Sequence, residues 1–155
     1  MIIQRAYMKK SAFTMIELVF VIVVLGILAA VALPRLGSTM TQAQIASAQG
    51  DVAAIRASIA SARQKELVKG VNSYITKLST AAVGGTPLFD GNGSITVLSY
   101  PINAKSVGGW AKTGANTYTF SIDGTATKTA TFTYAPATGL FNCDTTKSFC
   151  QKIVQ

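Results

Sequence analysis

Histidine is absent from this chain, cysteine occurs twice, and aspartate and glutamate together number six in 155 residues. Each shortage removes a class of chemistry. Without histidine there is no Ser–His or Cys–His pair to activate a nucleophile. Two thiolates alone do not make a structural zinc site, so no metal or other cofactor is expected. The five acids past residue 34, Asp51, Glu66, Asp90, Asp123 and Asp144, are scattered and offer no carboxylate dyad. No phosphate loop of the GxxxxGK[ST] kind occurs. The chain is therefore not expected to be an enzyme.

What the chain does have is one long apolar run. Residues 13–34 read FTMIELVFVIVVLGILAAVALP, and from Ile16 to Leu33 every residue is apolar or small except Glu17. The run has the length and character of a membrane-spanning helix. A lone carboxylate in such a run costs about 2.5–3.5 kcal/mol at the bilayer centre and less near the interface, which makes it a functional candidate by default. The plainer alternative is a Glu17 that lies at headgroup depth and stays solvated. Ahead of the run, MIIQRAYMKKSA carries Arg5, Lys9 and Lys10 and no acid. Positive charge beside a first span holds that end in the cytoplasm, so the rest of the chain is expected outside the inner membrane. An ordinary secretory signal has a shorter apolar stretch followed by a small-residue cleavage site. Here the small residues Ser11 and Ala12 precede the stretch, and Met8 is a second candidate start, leaving the leader MKKSA.

The stretch KKSAFTMIELVFVIVVLGILAAVALP resembles the N-terminal signature of type IV pilins and type II secretion pseudopilins, the class III signal family. The resemblance covers about 26 residues: a basic leader, a small residue at the cut, Phe13, a threonine and an apolar residue, Glu17, an apolar helix with Gly26, then Pro34. It implies cleavage by a membrane prepilin peptidase between Ala12 and Phe13 and N-methylation of Phe13. Where the family usually has glycine before the cut, this chain has Ala12, the smallest alternative. The resemblance further implies that Glu17 of one subunit attracts the new N-terminal amine of a neighbour in a filament. Electrostatics agrees, because an unpaired carboxylate in an apolar bundle is costly and a paired one much less so. An intramolecular contact between Glu17 and the amine is the rival pairing.

Past Pro34, where a break or bend in the helix is expected, Ile45, Ala48, Val52, Ile55, Ile59 and Ala62 recur at steps of three and four. That is one apolar stripe on an amphipathic helix, with Lys69-Gly70 as its stop. The apolar faces are narrow and alanine-rich, which suits packing beneath a sheet. VNSYITKLST (71–80) reads as a second short helix or a connector. GGTPLFDGNGS is turn-rich, and Asp90, Asn92 and Ser94 open like a calcium loop. Ile95 then stands where that loop needs glycine and Pro101 where it needs the bidentate glutamate, so Asn92-Gly93 is read as a tight turn. SITVLSY (94–100), TYTFSI (117–122) and ATFTYA (130–135) read as strands, and LFNC follows a turn at 136–139. GGWAK is a loop or a short added strand, with Trp110 as a core or edge anchor. Cys143 and Cys150 are expected to form a disulfide in the oxidising compartment outside the membrane, and pilins often bear such a closed C-terminal loop.

Beyond the apolar run, 11 basic residues stand against 5 acidic ones with no Lys/Arg block of five, so a solvated surface is the first explanation and DNA the sharper one. The expected fold is α+β, a pilin-like lollipop with a long N-terminal helix, transmembrane in its first half, packed on a small antiparallel sheet. Its parts are a cleaved leader (1–12), a membrane and filament-core helix (13–34), an amphipathic outer half (35–70) and a globular region with the disulfide loop (71–155). The resemblance implies self-association into a filament, an inner-membrane platform with a cytoplasmic ATPase, an outer-membrane secretin, and lipid contact before assembly. A pseudopilus for protein secretion is the leading use. A surface type IV pilus for adhesion, motility or DNA uptake is the alternative, and an anchored binding protein that never polymerises is the reading from another class. The C-terminal loop and residues 81–93 are the expected contact surfaces.

Overall fold

The computed structural model describes residues 13–155. The chain divides into two compact units, one ending at Thr39 and one covering Met40–Gln155. Helix α1 (Met15–Val68) begins in the first unit and ends in the second.

In the first unit every described residue is exposed and the secondary structure is helical from Met15 onward. The expected break at Pro34 does not interrupt the helix. Proline withholds one N–H from the ladder, and a helix of 54 residues absorbs that single loss. Just beyond it, the hydroxyls of Ser38 and Thr39 both donate to the Arg35 carbonyl, at 2.8 and 3.0 Å.

In the second unit the remainder of α1 buries Ile45, Ala48, Val52, Ile55, Ile59 and Ala62, the stripe read from the sequence. The helix stops where Gly70 takes φ +81° and the Val71 N–H returns to the Glu66 carbonyl. A four-stranded antiparallel meander follows: β1 (Gly109–Lys112), β2 (Thr117–Ser121), β3 (Thr129–Ala135) and β4 (Leu140–Cys143), in that spatial order. GGWAK thus contributes an edge strand. Alternation puts Tyr118, Phe120, Ala130, Phe132, Tyr134 and Phe141 on the buried face, while threonines fill the other. With Phe89 and Trp110 these rings form one aromatic core: Trp110 and Phe132 centroids lie 5.2 Å apart, and Phe132 stacks on Phe141 at 5.1 Å. The β3–β4 turn depends on Gly139, at φ +71°, where a Cβ would come within 2.3 Å of the Tyr74 ring.

One expected strand is corrected. SITVLSY is not a strand of the sheet; Ile95 and Val97 are buried, but the backbone turns, with Leu98 N–H on the Phe89 carbonyl and Asn92 Oδ1 accepting from the N–H groups of Ser94 and Ile95. Of the two readings of residues 71–80, the connector holds and the second helix does not form. A short helix that the sequence reading did not contain, α2 (Ser148–Val154), closes the chain and buries Phe149, Cys150 and Ile153.

Candidate assembly site

Thr14 precedes the first turn of α1, and its Oγ1 accepts from the Glu17 N–H at 3.3 Å. The Leu18 N–H reaches the Thr14 carbonyl. Thr14 and Glu17 stand at the two positions of a T-x-x-E capping box, which satisfies N–H groups that a helix start leaves free. The carboxylate also lies in the first turn, where the helix dipole favours negative charge. The Thr14 hydroxyl thus holds the N–H of residue 17, and the Glu17 carboxylate stands at a position that favours the helix start. Thr14 is the residue that reading for membrane character missed, although the spacing to Glu17 signals it.

Around this acid the surface is apolar. Phe13, Ile16, Leu18, Phe20 and Ile22 are all exposed, and the helix is long and apolar enough, by length and composition, to cross a membrane. Ala12 lies outside the described residues, so the cleavage position has only its Phe13 side on view.

The second unit fixes the surfaces expected to make contacts. Cys143 and Cys150 form a disulfide with Cα atoms 6.0 Å apart, tying the end of β4 to α2. Gln49 Nε2 donates to the Lys152 carbonyl at 2.8 Å, and Arg56 donates to the Phe141 carbonyl and to Asn142 Oδ1. The 78–91 segment is held by a buried polar network. Lys112, buried on β1, donates through Nζ to the carbonyls of Ser79 (3.2 Å) and Ala81 (2.7 Å). Ser79 Oγ accepts from the Phe89 N–H and the Tyr118 hydroxyl. Burial lowers the Lys112 pKa, helped by Lys77 and opposed by Asp90, and burial raises that of Tyr118. Asp90 accepts from the backbone N–H and hydroxyl of Thr80, so its carboxylate is engaged in holding the same segment. Lys112 was not singled out in sequence, yet its place two residues from Trp110 on a strand puts both on one face. Among the described residues no cluster of three or more His, Cys, Asp or Glu is arranged to hold a metal.

A helix of membrane character with a lone glutamate in its first turn, and a small antiparallel meander with a disulfide-closed end, are consistent with a pilin-like α+β fold. Residues 7–33 match the family described as the prokaryotic N-terminal methylation motif. Over 51 residues the chain is 45% identical to the type II secretion system core protein G of Pseudomonas aeruginosa, a stretch that makes up 33% of this chain and 36% of that protein. The chain thus spans about a third of the length of the curated relative it matches. No solved structure matches it. The similarity thus lies in the N-terminal third of the chain, which carries the methylation motif and resembles a type II secretion pseudopilin, a structural subunit and not an enzyme.

Proposed function

We propose that the chain is a filament subunit of a type II secretion pseudopilus, an assembly that drives folded proteins through an outer-membrane channel. In this reading the leader 1–12 stays in the cytoplasm and is removed between Ala12 and Phe13, and Phe13 is N-methylated. The apolar helix anchors the subunit in the inner membrane with the second unit in the periplasm. An ATPase-driven platform then lifts it into a filament whose core is built of such helices, beneath the secretin.

One observation carries the proposal: an apolar helix start with no buried residue, interrupted by a single carboxylate at its first turn. In lipid or between helices that surface is covered, and small residues such as Gly26 and Ala29-Ala30 let helices approach closely. Packing neighbours replace lipid at little hydrophobic gain, so Glu17 pairing with the amine of an adjacent copy selects the register.

Mass spectrometry of protein purified from cells that hold a prepilin peptidase tests the processing step. The expected species begins at N-methylated Phe13; an unmethylated terminus at Met1 or Met8 refutes it. Deleting the gene is expected to stop export of the secretion system's cargo while leaving surface pili intact. Loss of surface pili with normal export assigns the chain to the type IV pilus instead.

A further inference from the structure

We propose that Asp51 is the docking point for a lysine or arginine side chain of a second copy of this chain, an inference that rests on the filament reading above. Asp51 stands on α1 within the second unit, half-buried, and borders a cavity of about 390 Å3 whose walls include Ser47, Asn103, Lys105, Gly109 and Trp110. Its Oδ2 accepts from Trp110 Nε1 at 2.9 Å. Trp110 is itself core, 1% exposed, so the carboxylate is fixed in place from behind and open toward the cavity. Among the described residues that indole N–H is its one hydrogen-bond partner, and a neutral one.

The other acids of this unit are engaged. Glu66 pairs with Lys69 at 3.0 Å and Asp123 with Lys128 at 2.8 Å. Asp90 accepts from Thr80, and Asp144 from the backbone and hydroxyl of Thr146. Cations are in the opposite position. Lys65, Lys77, Lys147 and Lys152 are exposed and, among the described residues, have no carboxylate within ion-pair distance; the same holds for Arg35. Lys105 lies at the cavity but spreads its stem over Gly109 and makes no ion pair with Asp51. A copy thus presents a negative, partly desolvated recess and several unneutralised positive side chains. When such surfaces meet head to tail the contact is heterologous, and a rotation that does not close makes it the repeat of a filament. A partly buried charge pair also favours one register over its neighbours. Burial raises the Asp51 pKa, opposed by the Trp110 bond, as expected for an acid that lacks a cation in the free subunit.

Asp51→Asn deletes the charge and keeps an acceptor for Trp110. In cells carrying the assembly machinery it should lower the sheared-filament yield at least tenfold, while the purified subunit melts no lower than wild type. Asp51→Lys should abolish filaments, and one of Arg35→Asp, Lys65→Asp, Lys77→Asp, Lys147→Asp or Lys152→Asp should restore them in the double variant. Wild-type yield from Asp51→Asn overturns the proposal. Failure of every charge swap also overturns it, and leaves Asp51 to a different partner. A wild-type chain that forms no filament sinks the filament reading itself, a result visible before any Asp51 variant is compared.

Discussion

Tyr134 shows how single residues hold the second unit together. It is buried on β3, and its hydroxyl donates to the Ile75 carbonyl at 2.7 Å, linking the sheet to the segment after α1. Burial, with Tyr74 beside it, pushes its pKa up to about 12 from the ordinary value of 10. The folded state therefore keeps this proton at a pH where the unfolded chain has lost it. Its contribution is complete below pH 10 and is lost as pH rises toward 12. Tyr134→Phe is expected to cost about 1 kcal/mol at pH 7, the worth of one hydrogen bond. The variant should also lose stability less steeply than wild type between pH 10 and pH 12 in urea titrations. Residues of this kind were poorly legible in sequence. Tyr134 was readable as an inward-facing ring, but its partner lies 59 positions away. Lys112 was equally hidden, since a lysine on a strand gives no sign that two carbonyls await it. Trp110 was legible as an anchor because a lone tryptophan in a small sheet has so much apolar area to bury.

At the scale of elements, legibility followed periodicity. The stripe from Ile45 to Ala62 was visible because steps of three and four leave no other pattern, and those six residues are the buried ones of α1. Ile55→Ala should cost about 2–5 kcal/mol by removing a fully buried side chain, read as a lower urea midpoint with unchanged slope. β2 and β3 were equally plain from strict alternation. SITVLSY failed because β-rich residues also suit a turning segment that buries Ile95 and Val97 with no ladder partner. α2 was missed because seven residues are too few for a helical period to declare itself. Its stability is expected to depend on the covalent link to β4. The chain-entropy relation gives about 2.5 kcal/mol for a loop of this size. Cys143→Ser should lower the unfolding free energy by about that amount and speed amide exchange in α2. Exchange in β2 and β3 should quicken by no more than the lower global stability dictates. An unchanged urea midpoint would show that packing of Phe149 and Ile153 alone suffices.

For the molecule as a whole, the first unit was the most legible part of the sequence, because composition alone settles an apolar helix and order alone settles its start. What the sequence reading did not weigh is a second job for the carboxylate at that start. Capping predicts that Glu17 matters within one chain, since the T-x-x-E pair and the helix dipole both stabilise the first turn. Pairing predicts that it matters between chains, where an amine must meet it or be left uncompensated in an apolar surround. Two substitutions separate the effects. Glu17→Gln keeps the side-chain half of a capping box and removes the charge, whereas Thr14→Ala removes the cap and leaves the carboxylate. Loss of the cap is expected to cost about 1 kcal/mol of helix stability, visible as fraying of the first turn in membrane-embedded subunits, with filament yield changed less than threefold. Loss of the charge is expected to leave the subunit in the membrane with its helix content intact and to lower filament yield by a hundredfold or more. In the proposed filament the stranded amine would then have no partner in the apolar core. Equal losses from both variants would assign Glu17 to the helix start, and the subunit register would have to be set elsewhere.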